Sequence, residues 1–532
     1  MSRIIAVIAI LFFLTSAVYL PFSVNNKFNT PDETANYFFA KLFAETGQLK
    51  IIEPLEKLVD NAIHPRSINV LSGFLVPEGF WGLPLIYGAI GRLSSINFLP
   101  YLTAVLTILS LPFYFLFFKT IFGHKIARLS LLLLLINPVF WYNASRNFYH
   151  NLLFVNFLVI LLYLIVSNRS LTLARYIIAG ISLGLALLVR PSETLWLMAL
   201  VGVFFFYNLY KKNWAILGLF SVVLPLALMF YVNNDLYGGF LRFGYSATES
   251  TVIESQTVVP QLSKLDLVRQ LIMPFGFYPF EAVKRFFNYG LTPIWWFSLL
   301  TILGIVAMFF VRIRNVDIGY RSRRYPISTK EYFYLFSWCI FSLYLIFYYG
   351  GFNAEFFTDP GHEFIAGIGS PYLRYWLPTF VFATPFTAIG LQFLSKRRSL
   401  TAATMIVLVF LTTRSVLWHG PESLLAVRKN LQQFSVTASI AAEKTSPNSV
   451  MITPKWADRI YFPERRVIVD VEGKSVVKII ETLLKQEQLV FYLTGRGAIP
   501  LKAEDLITTS LKLERRFDLD EKGKMYQIMN VK

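Results

Sequence analysis

The sequence predicts a polytopic α-helical membrane protein with a small extracytoplasmic α/β domain, and three observations predict it. Of the 532 residues, 55% are hydrophobic and 15% charged. The apolar residues fall in long runs rather than alternating with polar ones, and a helix needs ~20 such residues to cross the hydrocarbon. The runs stop near Trp418, beyond which charge is far denser. The organisation this implies is a membrane domain over 1–418 and a water-facing domain over 419–532.

Taken in order, the apolar runs are Ile4 to Leu20, Phe98 to Phe118, Ile126 to Tyr142, Phe148 to Val166, Tyr176 to Val189, Thr194 to Tyr210, Trp214 to Val232, Leu291 to Val311, Tyr332 to Tyr349, Tyr375 to Phe393 and Leu400 to Trp418. These predict about eleven spans. Trp81 to Ile90 is too short and is interrupted by Gly82, Pro84 and Gly88, which suits an interfacial or re-entrant helix. Residues 1–21 can also be read as a signal peptide, with small residues at Ser16 and Ala17. The run is long enough for an uncleaved anchor, and both readings leave the next loop outside.

Charge orients the bundle. With Met1 in the cytoplasm, the inner segments hold seventeen Lys and Arg against two acids, Asp317 and Glu331, which accounts for most of the net +18. Basic residues concentrate on the cytoplasmic side of membrane proteins, so the positive balance is topological and nucleic acid is not needed to explain it. The outer face then receives the loops 21–97, 233–290 and 350–374 together with the C-terminal domain. Loops on a rigid scaffold are where chemistry concentrates. The single Cys339 and five scattered histidines exclude a disulfide framework and a structural zinc cluster within one chain.

The first outer loop opens with Asn29-Thr30-Pro31-Asp32-Glu33-Thr34. Thr30 is placed to cap a helix, Pro31 to take its first position and Glu33 to complete a capping box. Tyr37, Phe38, Leu42 and Phe43 would share a face of that helix. Acids are ordinary in a first helical turn. Two adjacent carboxylates just beyond a membrane exit, however, can also supply a general base for an acceptor hydroxyl.

With Pro31-Asp32-Glu33-Thr34-Ala35-Asn36-Tyr37 at the head of a juxtamembrane helix, the chain resembles the GT-C superfamily, and within it the protein O-mannosyltransferases and the aminoarabinose transferases that modify lipid A. Asn137-Pro138 followed by Arg146, Gly184-Leu185-Ala186 leading to Arg190-Pro191, and Arg374-Tyr375-Trp376-Leu377-Pro378 agree in order and sidedness. The resemblance covers roughly residues 1–418. It implies a membrane glycosyltransferase that moves a sugar from a polyprenyl-phosphate donor to a lipid, glycan or protein acceptor, inverting, with no nucleotide and no retained cofactor. Asp32 would be the base, Glu33 its acidic neighbour, and Arg374 the carrier-phosphate ligand. Arg146 and Arg190 are further donor-phosphate candidates, although arginines at span ends also serve as anchors. One departure is that Arg146-Asn147-Phe148-Tyr149-His150-Asn151 lacks the aspartate that many relatives carry there.

Glu355, Asp359, His362 and Glu363 crowd a short stretch before Arg374. They could line an acceptor site or bind a divalent cation, or form a solvated loop turning at Asp359-Pro360-Gly361. Beyond Trp418 the pattern predicts a helix from Glu422 to Glu443, strands at Val450 to Thr453 and Val467 to Asp470, and a helix from Lys474 to Lys485. A strand at Leu489 to Leu493 and a hairpin over Leu511 to Asp518 and Lys524 to Met529 complete it. No Gly-rich phosphate loop joins strand to helix. A transporter or lipid flippase is the competing class, as is a non-catalytic receptor or scaffold. The scarcity of charge in mid-span and the investment in outer loops weigh against transport.

Overall fold

The computed structural model describes residues 26–59, 61–167, 172–245, 272–314, 328–353, 367–394, 398–469, 474–494, 511–518 and 524–530. The expected first span and the acidic loop of Glu355, Asp359, His362 and Glu363 lie outside the described residues.

Helix α1 (Pro31–Thr46) begins where its capping chemistry dictates. The Thr30 hydroxyl accepts the Glu33 N–H, the Glu33 carboxylate accepts the Thr30 N–H, and the helix closes on Gly47 in the left-handed region. Its buried face is Tyr37, Phe39, Ala40, Leu42 and Ala44. Phe38 and Phe43, expected on that face, are half-buried at its edges. The segment after α1 then forms a small antiparallel sheet of β1 (Ile51–Ile52), β2 (Ile68–Leu71) and β3 (Phe74–Pro77), in the order β1-β3-β2. Ser72 and Gly73, both at positive φ, make the two-residue turn between β2 and β3.

The short apolar stretch forms α2 (Gly82–Leu93), packed on α1. Helix α3 (Leu102–Leu135) contains a break at Gly123 (φ 78°, ψ 173°), which divides it near the basic segment predicted to separate two spans. Asn137 and Pro138 then start α4 (Pro138–Ser145), which turns through 114° into α5 (His150–Val166). Proline at position 138 cannot continue the preceding helix, so the expected run from Ile126 to Tyr142 is divided there.

Next come α6 (Leu173–Val189), α7 (Thr194–Tyr210), α8 (Val223–Tyr237), α9 (Pro279–Arg285), α10 (Trp295–Arg314) and α11 (Thr329–Gly350). They are followed by α12 (Pro371–Tyr375), α13 (Leu377–Phe382), α14 (Thr384–Leu394) and α15 (Arg398–Leu417). Among the described residues seven helical segments are long and apolar enough to cross a membrane, or eight with the bent α4–α5 pair. The chain is a multi-pass membrane protein. Among the described residues the count stays below the expected eleven, because the first expected span lies outside them, 17-residue α6 is short and α3 runs through its break. Helices α10 and α14 cross at backbone contact: a Cβ on Gly304 would lie 1.8 Å from the Phe386 carbonyl oxygen, and one on Gly390 2.0 Å from that of Leu300. Small residues at such crossings let dispersion forces act between helices where lipid removes the hydrophobic drive.

After α16 (Leu424–Lys444) comes a mixed sheet, β5-β4-β6-β8-β7, built from β4 (Val450–Thr453), β5 (Arg466–Val469), β6 (Val490–Thr494), β7 (Leu511–Asp518) and β8 (Lys524–Asn530). Strands β4, β5 and β6 are parallel, and β7 and β8 close the sheet antiparallel. A short α17 (Asp458–Tyr461) and α18 (Lys474–Lys485) complete this C-terminal module. Its core is continuous with α1 and β2, since Phe39, Leu42, Val70, Met451 and Phe491 belong to one buried cluster.

Candidate active site

The sequence places Asp32 in the first turn of α1, where a carboxylate faces free N–H groups and the positive end of the helix. The tertiary structure adds two partners. Oδ2 lies 3.0 Å from Nη2 of Arg374, and Oδ1 accepts the Ser67 hydroxyl at 2.9 Å. The Asp32 side chain is 37% exposed and that of Arg374 17%, so the pair sits in a partly open crevice. Burial alone would raise the Asp32 carboxyl. The Arg374 guanidinium, the Ser67 hydroxyl and nearby His150 outweigh it and hold the carboxyl below the usual carboxylate range.

Arg374 closes the short α12. Asn151 donates to its carbonyl at 2.7 Å, and its guanidinium lies over the rings of Tyr149 (4.8 Å) and Tyr375 (5.2 Å). Its buried Nε has no hydrogen-bond partner among the described residues. A buried donor left unpaired costs free energy unless a ligand, water or another group takes it.

Glu33 points away from this pair. Arg146 grips it with Nε (2.9 Å) and Nη2 (2.6 Å), and the same guanidinium reaches the hydroxyls of Tyr142 (2.6 Å) and Tyr149 (3.0 Å). Both members are about 2–3% exposed. The pair ties α1 to the corner between α4 and α5. At that corner Phe148 is fully buried at φ 62°, with its carbonyl accepting from Asn36 at 2.8 Å. A left-handed bulky residue persists only where its surroundings over-determine it.

Arg190, at the end of α6, pairs with Glu193 at 2.8 Å and donates to the Tyr349 hydroxyl. Tyr349 stacks on Tyr375 at 4.8 Å, and the Arg190 guanidinium stands 5.9 Å from the Tyr375 ring. Tyr375 therefore neighbours both arginines, each with an Nε that no described residue satisfies. Thus Asp32, Arg374 and Arg190 converge, whereas Glu33 and Arg146 form a separate buried unit beside them.

Several residues of the crevice carried no role in the sequence reading. Glu78, raised by burial and by the Asp32 charge, faces the pair. Tyr245 stands within reach of the charges of Asp32, Glu78 and Arg374, and packs edge-on against Phe80 at 5.6 Å. His150 contacts the Phe80 carbonyl. Tyr375 stood in the quoted motif beside Arg374, and Glu193 follows Arg190 at helical spacing, so both had a local signal. Ser67 and Glu78 had none. No group of three His, Cys, Asp or Glu side chains arranged to hold a metal occurs among the described residues.

A profile for the family "Dolichyl-phosphate-mannose-protein mannosyltransferase" matches residues 81–231. That segment includes Arg146, His150 and Arg190 but neither Asp32 nor Arg374. Among solved structures, ArnT from Cupriavidus metallidurans bound to undecaprenyl phosphate aligns over 99% of this chain and 97% of that one, at 11% identity and a TM-score of 0.52. Apo ArnT aligns over the same shares at 12% identity and a TM-score of 0.46. The Archaeoglobus fulgidus oligosaccharyltransferase aligns over 92% and 67%, at 11% and 0.45. No curated protein sequence matches the chain. The chain thus shares the fold of the first of these structures along nearly its whole length, and the mannosyltransferase profile matches a segment within its helical bundle.

Proposed function

We propose that this chain transfers a sugar from a polyprenyl-phosphate donor to a hydroxyl or amine of a lipid, glycan or protein acceptor on the outer face of the membrane, with inversion. The observation that carries the reading is the 3.0 Å pair between Asp32 and Arg374 in a partly open crevice at the head of the helical bundle. The Cupriavidus metallidurans ArnT structure holds undecaprenyl phosphate, and a lipid phosphate is what Arg374 and Arg190, both beside Tyr375, are suited to receive. Guanidinium forks match phosphate oxygens bidentately. The N-terminus lies in the cytoplasm in this reading, and residues 419–532 form an extracytoplasmic domain beside the outer loops of domain 1–418.

The resting ion pair supplies a switch. When donor phosphate engages Arg374, Asp32 loses its strongest favourable partner, its carboxyl becomes more basic, and Oδ2 is freed toward the acceptor. The acceptor oxygen or nitrogen attacks the anomeric carbon as the bond from that carbon to the phosphate oxygen breaks. The acceptor proton passes to Asp32, and the developing phosphate charge stays on the arginines. One displacement gives inversion. A positioned base contributes about 10²–10⁴ in rate, and a preorganised donor at the departing charge about 10²–10³. Asp32→Asn should abolish transfer from a radiolabelled polyprenyl-phosphate sugar while the protein stays folded and inserted. Turnover at the parental rate removes the base assignment.

A further inference from the structure

One of the two partners of Asp32 is held in place from the C-terminal module. Ser67 donates its hydroxyl from a backbone at φ 64°, a conformation serine adopts only under constraint. The residue before it is itself held from the C-terminal module. Arg66 sets three N–H groups on the carboxylate of Asp458: its backbone N–H on Oδ2 at 2.8 Å, Nε on Oδ2 at 3.2 Å, and Nη2 on Oδ1 at 3.1 Å. Asp458 opens α17 and is wholly buried. On the other side of Ser67, Ile68 begins β2 in register with Pro77, and the Ser67 carbonyl accepts the Glu78 N–H at 3.3 Å. Upstream, Ile63 and His64 bridge to Ile468 of β5.

We propose that Asp458 is a positioning residue for the transfer, acting through Arg66 to fix the Ser67 hydroxyl on Asp32, so that the C-terminal module completes the environment of the base. This rests on reading Asp32 as that base. The groups facing Asp32 are Arg374 from α12, His150 from the start of α5, Glu78 beyond β3, Tyr245 and Ser67. Of these, Ser67 is the one joined directly to the residue that Asp458 grips. A hydrogen bond to the charged form of a carboxyl holds its titration low, so removing the bond at either end of the relay moves the acid limb the same way.

The test is the pH profile of kcat/KM for transfer from a radiolabelled polyprenyl-phosphate sugar by the full-length protein. Ser67→Gly, which relieves the backbone while removing the hydroxyl, should move the acid limb up by roughly one pH unit and lower kcat about tenfold below it, with donor KM unchanged. Asp458→Asn should move the limb in the same direction, and Ser67→Gly with Asp458→Asn should be no worse than the more severe single change. Arg66→Lys, which keeps a positive charge against the buried carboxylate but loses the fork, carries the same comparison if Asp458→Asn does not fold. Folded Asp458→Asn or Arg66→Lys protein with the parental limb and kcat overturns the positioning role, as does full additivity in the double variant. Asp32→Asn distinguishes the two failures. If it is inactive while those profiles stay unmoved, the relay alone is wrong; if it turns over normally, the base reading falls and takes the relay with it.

Discussion

Asp32 and Glu33 are neighbours in sequence but separate in environment. Asp32 faces a crevice with one oxygen on Arg374 and one on Ser67. Glu33 is sealed against Arg146 while also capping its own helix. The Asp32 carboxyl, held low in the folded protein, adds stability that is present above its unfolded value and is lost as pH falls through the folded one. The same sign applies to activity: transfer should fail on the acid side, and Arg374→Gln, by removing the main favourable influence, should move that limb to higher pH in a kcat/KM profile. Arg374→Lys keeps charge but forfeits the fork and the stacking on Tyr149, and donor KM should rise about tenfold, in line with the loss of a charged hydrogen bond. Glu33→Ala leaves Arg146 charged and buried. Breaking one side of such a pair costs about 3–5 kcal/mol, and the thermal midpoint of purified protein should fall accordingly; an unchanged midpoint would mean that the corner between α4 and α5 does not depend on this tie.

Among the elements, the crossing of α10 and α14 is the tightest constraint on the bundle, because Gly304 and Gly390 let each backbone touch the other. Gly390→Ala places a methyl where a carbonyl oxygen already stands. Overpacking of this kind costs at least about 1–3 kcal/mol, and the expected outcome is lost thermal stability in detergent, with the Asp32 pH profile unchanged in whatever protein remains folded. Helix α1 shows the opposite economy, since Thr30, Pro31 and Glu33 specify its start locally. That is why its beginning was legible, as were α16, α18 and the strands of the C-terminal module, where alternation and flanking turns set the boundaries. Gly123 and Pro138 were visible too, but their effect was not. Periodicity marks apolar length and says little about where a left-handed glycine or a missing N–H divides it.

At the scale of the whole molecule, the paired acids and the late arginine were legible as candidates because charge is costly near a bilayer and local motifs surround them. The relay from Asp458 to Ser67 was not, because no local pattern announces that residues nearly four hundred positions apart will share a carboxylate. The same holds for the cluster joining Phe39 and Val70 to Met451 and Phe491. Lys27 is 1% exposed and is held by the Phe462 carbonyl and the Glu464 carboxylate, 435 and 437 residues further along the chain. At ~5–20 residues per second of synthesis, that lysine waits roughly 20 to 90 seconds before its partners are made. Throughout that interval Lys27 has neither partner, so this tie between the segment before α1 and the C-terminal module forms only after Glu464 has been synthesised.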